Sequence, residues 1–122
     1  MEIGIDIIEI EKFDEKILSK KNFLNKVYTE KEIQYCNSKS NPAQHFAARF
    51  AAKEAAIKAL SNYANNVPLT SLEILNDDQG KPFINIKNFK IEDIKLKISI
   101  SHSKELAIAI VIAYKSKSEC FM

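Results

Sequence analysis

The spacing of apolar positions changes partway along this chain, and the change separates helices from sheet. Residues 2–10 alternate isoleucines with polar residues around Asp6, which predicts a buried strand interrupted by one acid. A helix is expected from about Glu11 to Ser19. Thr29 with Glu32 forms a capping box that opens a short helix toward Cys36. CNSKSNPAQ reads as a loop, and Asn41-Pro42 supplies the start of a long helix ending near Leu60. Beyond the Asn-rich loop SNYANNVP the period becomes two. Leu72–Leu75 and Pro82–Ile86 flank the turn NDDQG as a hairpin. Residues 95–102 alternate strictly, with Leu96, Ile98, Ile100 and His102 on one face and Lys95, Lys97, Ser99 and Ser101 on the other. Leu106–Tyr114 is an unbroken apolar strand, which implies burial on both faces. A strand, then helices, then a mostly antiparallel sheet predict an α+β domain.

The long helix is the unusual element. From Ala43 to Leu60, 12 of 18 positions are apolar, mostly alanines spread around the whole helix. A helix that is apolar on every side is normally buried, and small side chains let its neighbours approach closely. Arg49, Lys53, Glu54 and Lys58 therefore sit where charge is costly unless paired. Glu54 and Lys58 have the orientation of an ordinary helix ion pair, worth roughly 0.2–0.5 kcal/mol. The same group offers a carboxylate beside cations on a rigid element, which suits a metal ion and a phosphate sharing one site.

Composition narrows the classes. At 122 residues, 46% hydrophobic and 28% charged, the chain fits one soluble domain too small to bury a cofactor alone. A site at a subunit interface is a reasonable expectation. A net charge of +2 excludes a strongly basic nucleic-acid arm. Local charge is more telling: six lysines fall between Lys12 and Lys31, and Lys12, Lys16 and Lys20 recur every four residues. On a helix they form a basic stripe, either a solvated face or a landing strip for an acidic macromolecule. Cys36 and Cys120 match no metal or redox spacing and are expected as reduced thiols. MEIGIDIIEI lacks a basic leader, and the run from Leu106 is too short to span a bilayer, so a cytoplasmic location is expected.

Three segments offer chemistry: Asp6 within a strand, Glu54 on the long helix, and His102 at a strand end. Taken singly, Asp6 reads as a cap or a ligand, and His102 as a hydrogen-bonded structural residue or a site residue. Two carboxylates from separate elements, with lysine and arginine nearby, suit a hard cation such as Mg2+. With only Gly4 and Gly80, the chain has no Gly-rich phosphate loop, so side chains and helix ends must bind any phosphate.

The chain resembles the short bacterial holo-(acyl-carrier-protein) synthases, a group of 4'-phosphopantetheinyl transferases. GIDIIE at Gly4–Glu9, FAARFAAKEAAIKA at Phe46–Ala59 and SISHSKELAIA at Ser99–Ala109 carry the resemblance, with echoes in YTEKE at Tyr28–Glu32 and GKP at Gly80–Pro82. It spans nearly the whole chain and implies one 4'-phosphopantetheinyl transferase domain over 1–122. The implied reaction moves the phosphopantetheine arm of coenzyme A to a serine of acyl carrier protein, supporting fatty acid biosynthesis and releasing adenosine 3',5'-bisphosphate. By the matching motifs Asp6 and Glu54 are Mg2+ ligands and Lys58 contacts the diphosphate. Arg49 and His102 line the coenzyme A cleft, and Lys81 and Pro82 border the nucleotide. The resemblance also implies a homotrimer with sites between subunits, and gives Lys12, Lys16 and Lys20 a role in docking the carrier protein. Two departures stand out: Glu2 replaces a usual glycine, and Ser61 with SNYANN replaces a glycine-rich stretch.

For the serine proton the sequence leaves three acceptors open: water on the metal, Glu54 or His102. The alternative function is a catalytically silent module that holds an acidic protein through its lysines.

Overall fold

The computed structural model of the chain describes residues 1–116, so Cys120 lies outside the described residues. Strand β1 (Glu2–Glu9) leads through a 3-10 turn (Ile10–Phe13) into α1 (Glu15–Leu18), α2 (Lys21–Val27) and α3 (Glu30–Asn37). The long helix α4 (Pro42–Leu60) follows, then the hairpin of β2 (Leu72–Asn76) and β3 (Pro82–Ile86), and finally β4 (Ile94–His102) and β5 (Leu106–Lys115). The chain folds as the expected α+β arrangement. One antiparallel sheet has the order β1-β5-β4, and β2 with β3 forms a second.

Helix α4 is the axis of the core. Ala51, Ala52, Ala55, Ala56 and Ala59 are fully inaccessible, and the sheet lays Ala109, Val111 and Ala113 of β5 against the same core. Small residues on both elements bring the backbones close. A Cβ at Gly4 would overlap the carbonyl oxygen of Ala55, so β1 crosses α4 where only glycine fits. A second apolar cluster under the N-terminal helices joins Phe13, Leu24, Tyr28 and Phe46. There the Tyr28 hydroxyl donates to the Phe46 carbonyl at 2.7 Å.

Three sequence expectations are corrected. Strand β1 is not buried on its isoleucine face: Ile3, Ile5 and Ile7 are 63%, 53% and 58% exposed, while Gly4, Asp6 and Ile8 turn inward. The α4 backbone lies too close to that inner face for alternating isoleucines to occupy it. Strand β5 is likewise buried on one face only, because Ile108, Ile110 and Ile112 are just partly covered by this chain. The helix expected over 11–19 is broken. Asp14 adopts an extended backbone and caps α1 by accepting from Ile17 N at 3.0 Å, so its capping preference overrides the helical period. Lys12, Lys16 and Lys20 are exposed but fall on the 3-10 turn, on α1 and on the extended residue before α2, rather than on one helical face.

Elsewhere local signals match. Thr29 Oγ1 accepts from Glu32 N, and Glu32 Oε1 accepts from Thr29 N at 2.9 Å, completing the capping box. Pro42 occupies the first turn of α4, although the Asn41 side chain makes no capping bond. Among the described residues no helix is long and apolar enough to cross a membrane.

Candidate active site

The four charges of α4 part company on two sides of the helix. Toward β1, Lys58 Nζ donates to the Ile5 carbonyl at 2.9 Å and lies 3.5 Å from Asp6 Oδ1. Glu54 is one turn earlier on the face it shares with Lys58, half-buried, and has no hydrogen-bond or ion-pair partner among the described residues. Gly4 meets α4 at Ala55 and Ala59, which brings Asp6, two residues on and on the same inward face of β1, toward this part of the helix. Among the described residues no group of three or more His, Cys, Asp or Glu is placed to hold a metal ion. Two carboxylates such as Asp6 and Glu54 are of the chemistry that suits a hard divalent cation taking most of its shell from water and substrate oxygens, as Mg2+ does.

Lys53 is no part of that site. It is fully buried, and its ammonium donates to Glu32 Oε1 at 2.8 Å and to the carbonyls of Leu69 and Leu72 at 2.8 and 2.9 Å. Glu32 is equally buried and also accepts from Ile74 N at 3.0 Å. Burial lowers the Lys53 pKa, and the Glu32 charge and hydrogen bond oppose that shift. The sequence marks Glu32 only as a cap. The need for a partner to Lys53 is legible in the alanine helix, but not that the partner is Glu32, 21 residues away.

Arg49 faces the hairpin. It is 4% exposed, its Nη2 donates to Asn76 Oδ1 at 2.7 Å, and its guanidinium lies 4.1 Å from the centre of the Tyr35 ring. With Lys31, Lys39, Asn76 and Gly80 it borders a cleft of about 550 Å³. Lys81 and Pro82 line a neighbouring cleft of about 210 Å³, and Asp77 and Phe83 border both. His102 ends β4 exposed, with Nδ1 held 2.9 Å from Gln44 Nε2 on α4. Whichever tautomer that pair adopts, Nε2 is the ring nitrogen that Gln44 does not engage. Tyr35, Gln44 and Asn76 were not foreseen, since nothing in their sequence context separates them from ordinary surface polar residues. Burial pushes the Cys36 thiol up to about 12, so it stays protonated at neutral pH.

The two departures noted in the sequence touch each other. Asn62 Nδ2 donates to Glu2 Oε1 at 2.7 Å, tying the loop after α4 to the start of β1. Ser61 keeps a right-handed backbone (φ −57°, ψ −28°), so no glycine is needed there.

The alanine-rich helix lies against an antiparallel sheet, and Asp6 of β1 meets Lys58 on that side. A sequence model of the 4'-phosphopantetheinyl transferase superfamily matches residues 2–111, and the chain belongs to that superfamily. It is 44% identical over 117 residues to the holo-(acyl-carrier-protein) synthase of Fusobacterium nucleatum, covering 90% of this chain and 95% of the relative. The synthase of Thermodesulfovibrio yellowstonii is 45% identical over 112 residues, with the same coverage. Among solved structures, a Bacillus anthracis holo-(acyl-carrier-protein) synthase in complex with CoA (3',5'-ADP) superposes with a TM-score of 0.77 at 36% identity, covering 95% of this chain and 96% of that one. The Helicobacter pylori synthase in complex with coenzyme A gives a TM-score of 0.77 at 31% identity, with 92% and 99% covered.

Proposed function

We propose that this chain transfers the 4'-phosphopantetheine moiety of coenzyme A to a serine hydroxyl of apo-acyl carrier protein, in the cytoplasm and in support of fatty acid biosynthesis. Membership in the superfamily and likeness to the synthases above support the reaction. The observation that carries the site is the meeting of Asp6 and Lys58 at 3.5 Å, on the helix face that Lys58 shares with the unpaired Glu54.

In the reaction the serine oxygen forms a bond to the pantetheine-side phosphorus. The bond from that phosphorus to the bridging oxygen breaks, and adenosine 3',5'-bisphosphate leaves. Asp6 and Glu54 would hold Mg2+, which when bound offsets charge on the diphosphate oxygens. Lys58, whose side chain is 56% exposed, can leave Asp6 to meet a phosphate oxygen as charge develops there. Arg49 would bind a phosphate of the donor, Lys81 and Pro82 would border its nucleotide, and His102 would face the cleft through Nε2. Glu54 and His102 are the side chains suited to take the serine proton. Because positioning supplies much of the rate in phosphoryl transfer, the rigidity of α4 matters as much as its charges. Lys12, Lys16 and Lys20, all exposed, would receive the acidic carrier protein.

The working unit in this reading is a homotrimer. Its support is the outer face of the main sheet, where Ile3, Ile5 and Ile7 stand beside Ile112, Ile110 and Ile108 in register. An apolar patch of six adjacent isoleucines on a small protein calls for a cover, and further copies of the chain supply one. Association would also join clefts that a single chain keeps apart: Arg49 and the hairpin lie on one side of α4, Asp6 on the other.

The deciding assay incubates the protein with coenzyme A, Mg2+ and apo-acyl carrier protein, then follows the carrier by mass spectrometry. Addition of a phosphopantetheine mass is expected. Absence of any shift with active-site serine present would favour the silent binding module.

A further inference from the structure

We infer that Tyr35 is a positioning residue, whose ring holds Arg49 and Lys39 together as a preset anion receiver at the 550 Å³ cleft. The inference rests on the reading of that cleft as the donor's, and adds to it the residue that organises its charge.

Two cations lie over one ring. The Lys39 ammonium is 4.7 Å from the Tyr35 ring centre, and the Arg49 guanidinium is 4.1 Å from it. The edge of the same side chain pair is closed by His45, whose ring meets Tyr35 in a T-shaped contact at 5.7 Å. Arg49 is the member with most at stake. It is 96% buried (4% exposed), its Nε is buried with no hydrogen-bond partner, and no carboxylate forms an ion pair with it among the described residues. Its Nη2 donates to the neutral Asn76 side chain. A buried guanidinium so poorly matched is costly unless a π face or an incoming anion offsets it.

The acids nearby do not neutralise the group. Asp77 borders the cleft, but its Oδ1 accepts from Gln79 N and Lys81 N at 2.9 and 2.8 Å and so serves its own turn. Asp78 is exposed at the rim. Without the ring, Lys39 and Arg49 would repel one another, and the exposed lysine would drift into solvent. With it, both stay at the cleft wall before any ligand arrives, which lowers the ordering cost of binding a phosphate.

The test is binding and kinetics with coenzyme A as the probe, on the full chain. Tyr35→Leu should raise both the Kd and the KM for coenzyme A about tenfold while kcat stays within about twofold, the size expected for lost cation–π contacts. Tyr35→Phe should restore wild-type values, since the ring and not the hydroxyl acts. Combining Tyr35→Leu with Arg49→Gln should weaken binding by less than the product of the two single effects, leaving only the loss carried by Lys39. A lower Tm with Kd and KM unchanged in Tyr35→Leu would make the ring mere packing and overturn the inference. So would a tenfold loss in Tyr35→Phe. If Arg49→Gln itself leaves the Kd unchanged, the cleft does not hold the donor, and both readings fall. If Arg49→Gln weakens binding but Tyr35→Leu does not, only the role of Tyr35 falls. Should Tyr35→Leu not fold, Lys39→Gln reports on the same receiver, and an unchanged Kd there overturns it.

Discussion

Replacing Lys53 by methionine keeps an unbranched chain only one atom shorter and removes its charge, which isolates the buried pair as a stability element. Lys53 and Glu32 are both inaccessible to solvent and 2.8 Å apart. In Lys53→Met, Glu32 keeps two backbone donors, Thr29 N at 2.9 Å and Ile74 N at 3.0 Å, but loses its counter-charge. The carbonyls of Leu69 and Leu72 lose the ammonium that reaches them at 2.8 and 2.9 Å. Breaking a buried pair from one side costs about 3–5 kcal/mol, a large part of the roughly 5–15 kcal/mol that holds a domain folded. At roughly 4 °C per kcal/mol for a domain of this size, Tm should fall by about 12–20 °C. Adding Glu32→Gln removes the stranded charge, so the double variant should regain about 1–2 kcal/mol over Lys53→Met. Urea unfolding followed by circular dichroism measures both, at one protein concentration because association shifts apparent stability. A Lys53→Met variant within about 1 kcal/mol of wild type would refute the argument. So would a double variant no more stable than the single.

Asp6→Ala and Glu54→Ala should each lower Mg2+-dependent transfer by about a hundredfold or more while the protein stays folded, read by turnover and far-ultraviolet circular dichroism. Near-normal turnover in either would remove that carboxylate from the metal site. Lys12→Glu with Lys16→Glu should raise the KM for carrier protein and flatten its salt dependence, with coenzyme A binding unchanged. Ile5→Lys, at the centre of the exposed isoleucine face, should shift the protein toward monomer in light scattering and lower turnover with it. A full-size assembly would dismiss that face as the contact. His45 has a pKa below the ordinary 6.5 through burial and then the charges of Arg49, Lys39 and His102. The unfolded chain therefore takes up the proton first, so stability is complete above pH 6.5 and declines as pH falls through and below it. His45→Gln should flatten that decline in a series of Tm measurements.

What could be seen in the chain before its fold was the part governed by neighbours. The Thr29–Glu32 box, the proline start of α4, the NDDQG hairpin and the alternation of β4 depend on backbone bonds and periodicity within a few residues. The alanine content of α4 announced close packing, and the motifs around Asp6, Glu54 and His102 pointed to the superfamily. The tertiary structure decided everything that turns on which surfaces meet. It sent the isoleucines of β1 outward, because the α4 backbone occupies the inner side and overlaps any Cβ at Gly4. It also divided charges that look equivalent on one helix. Lys53 found Glu32 from 21 residues away and left solvent, Lys58 reached β1, and Arg49 settled on Tyr35. Periodicity shows which residues share a face. Only the crossing of distant segments determines what each face meets, and so whether a charge becomes structural or remains free for a substrate.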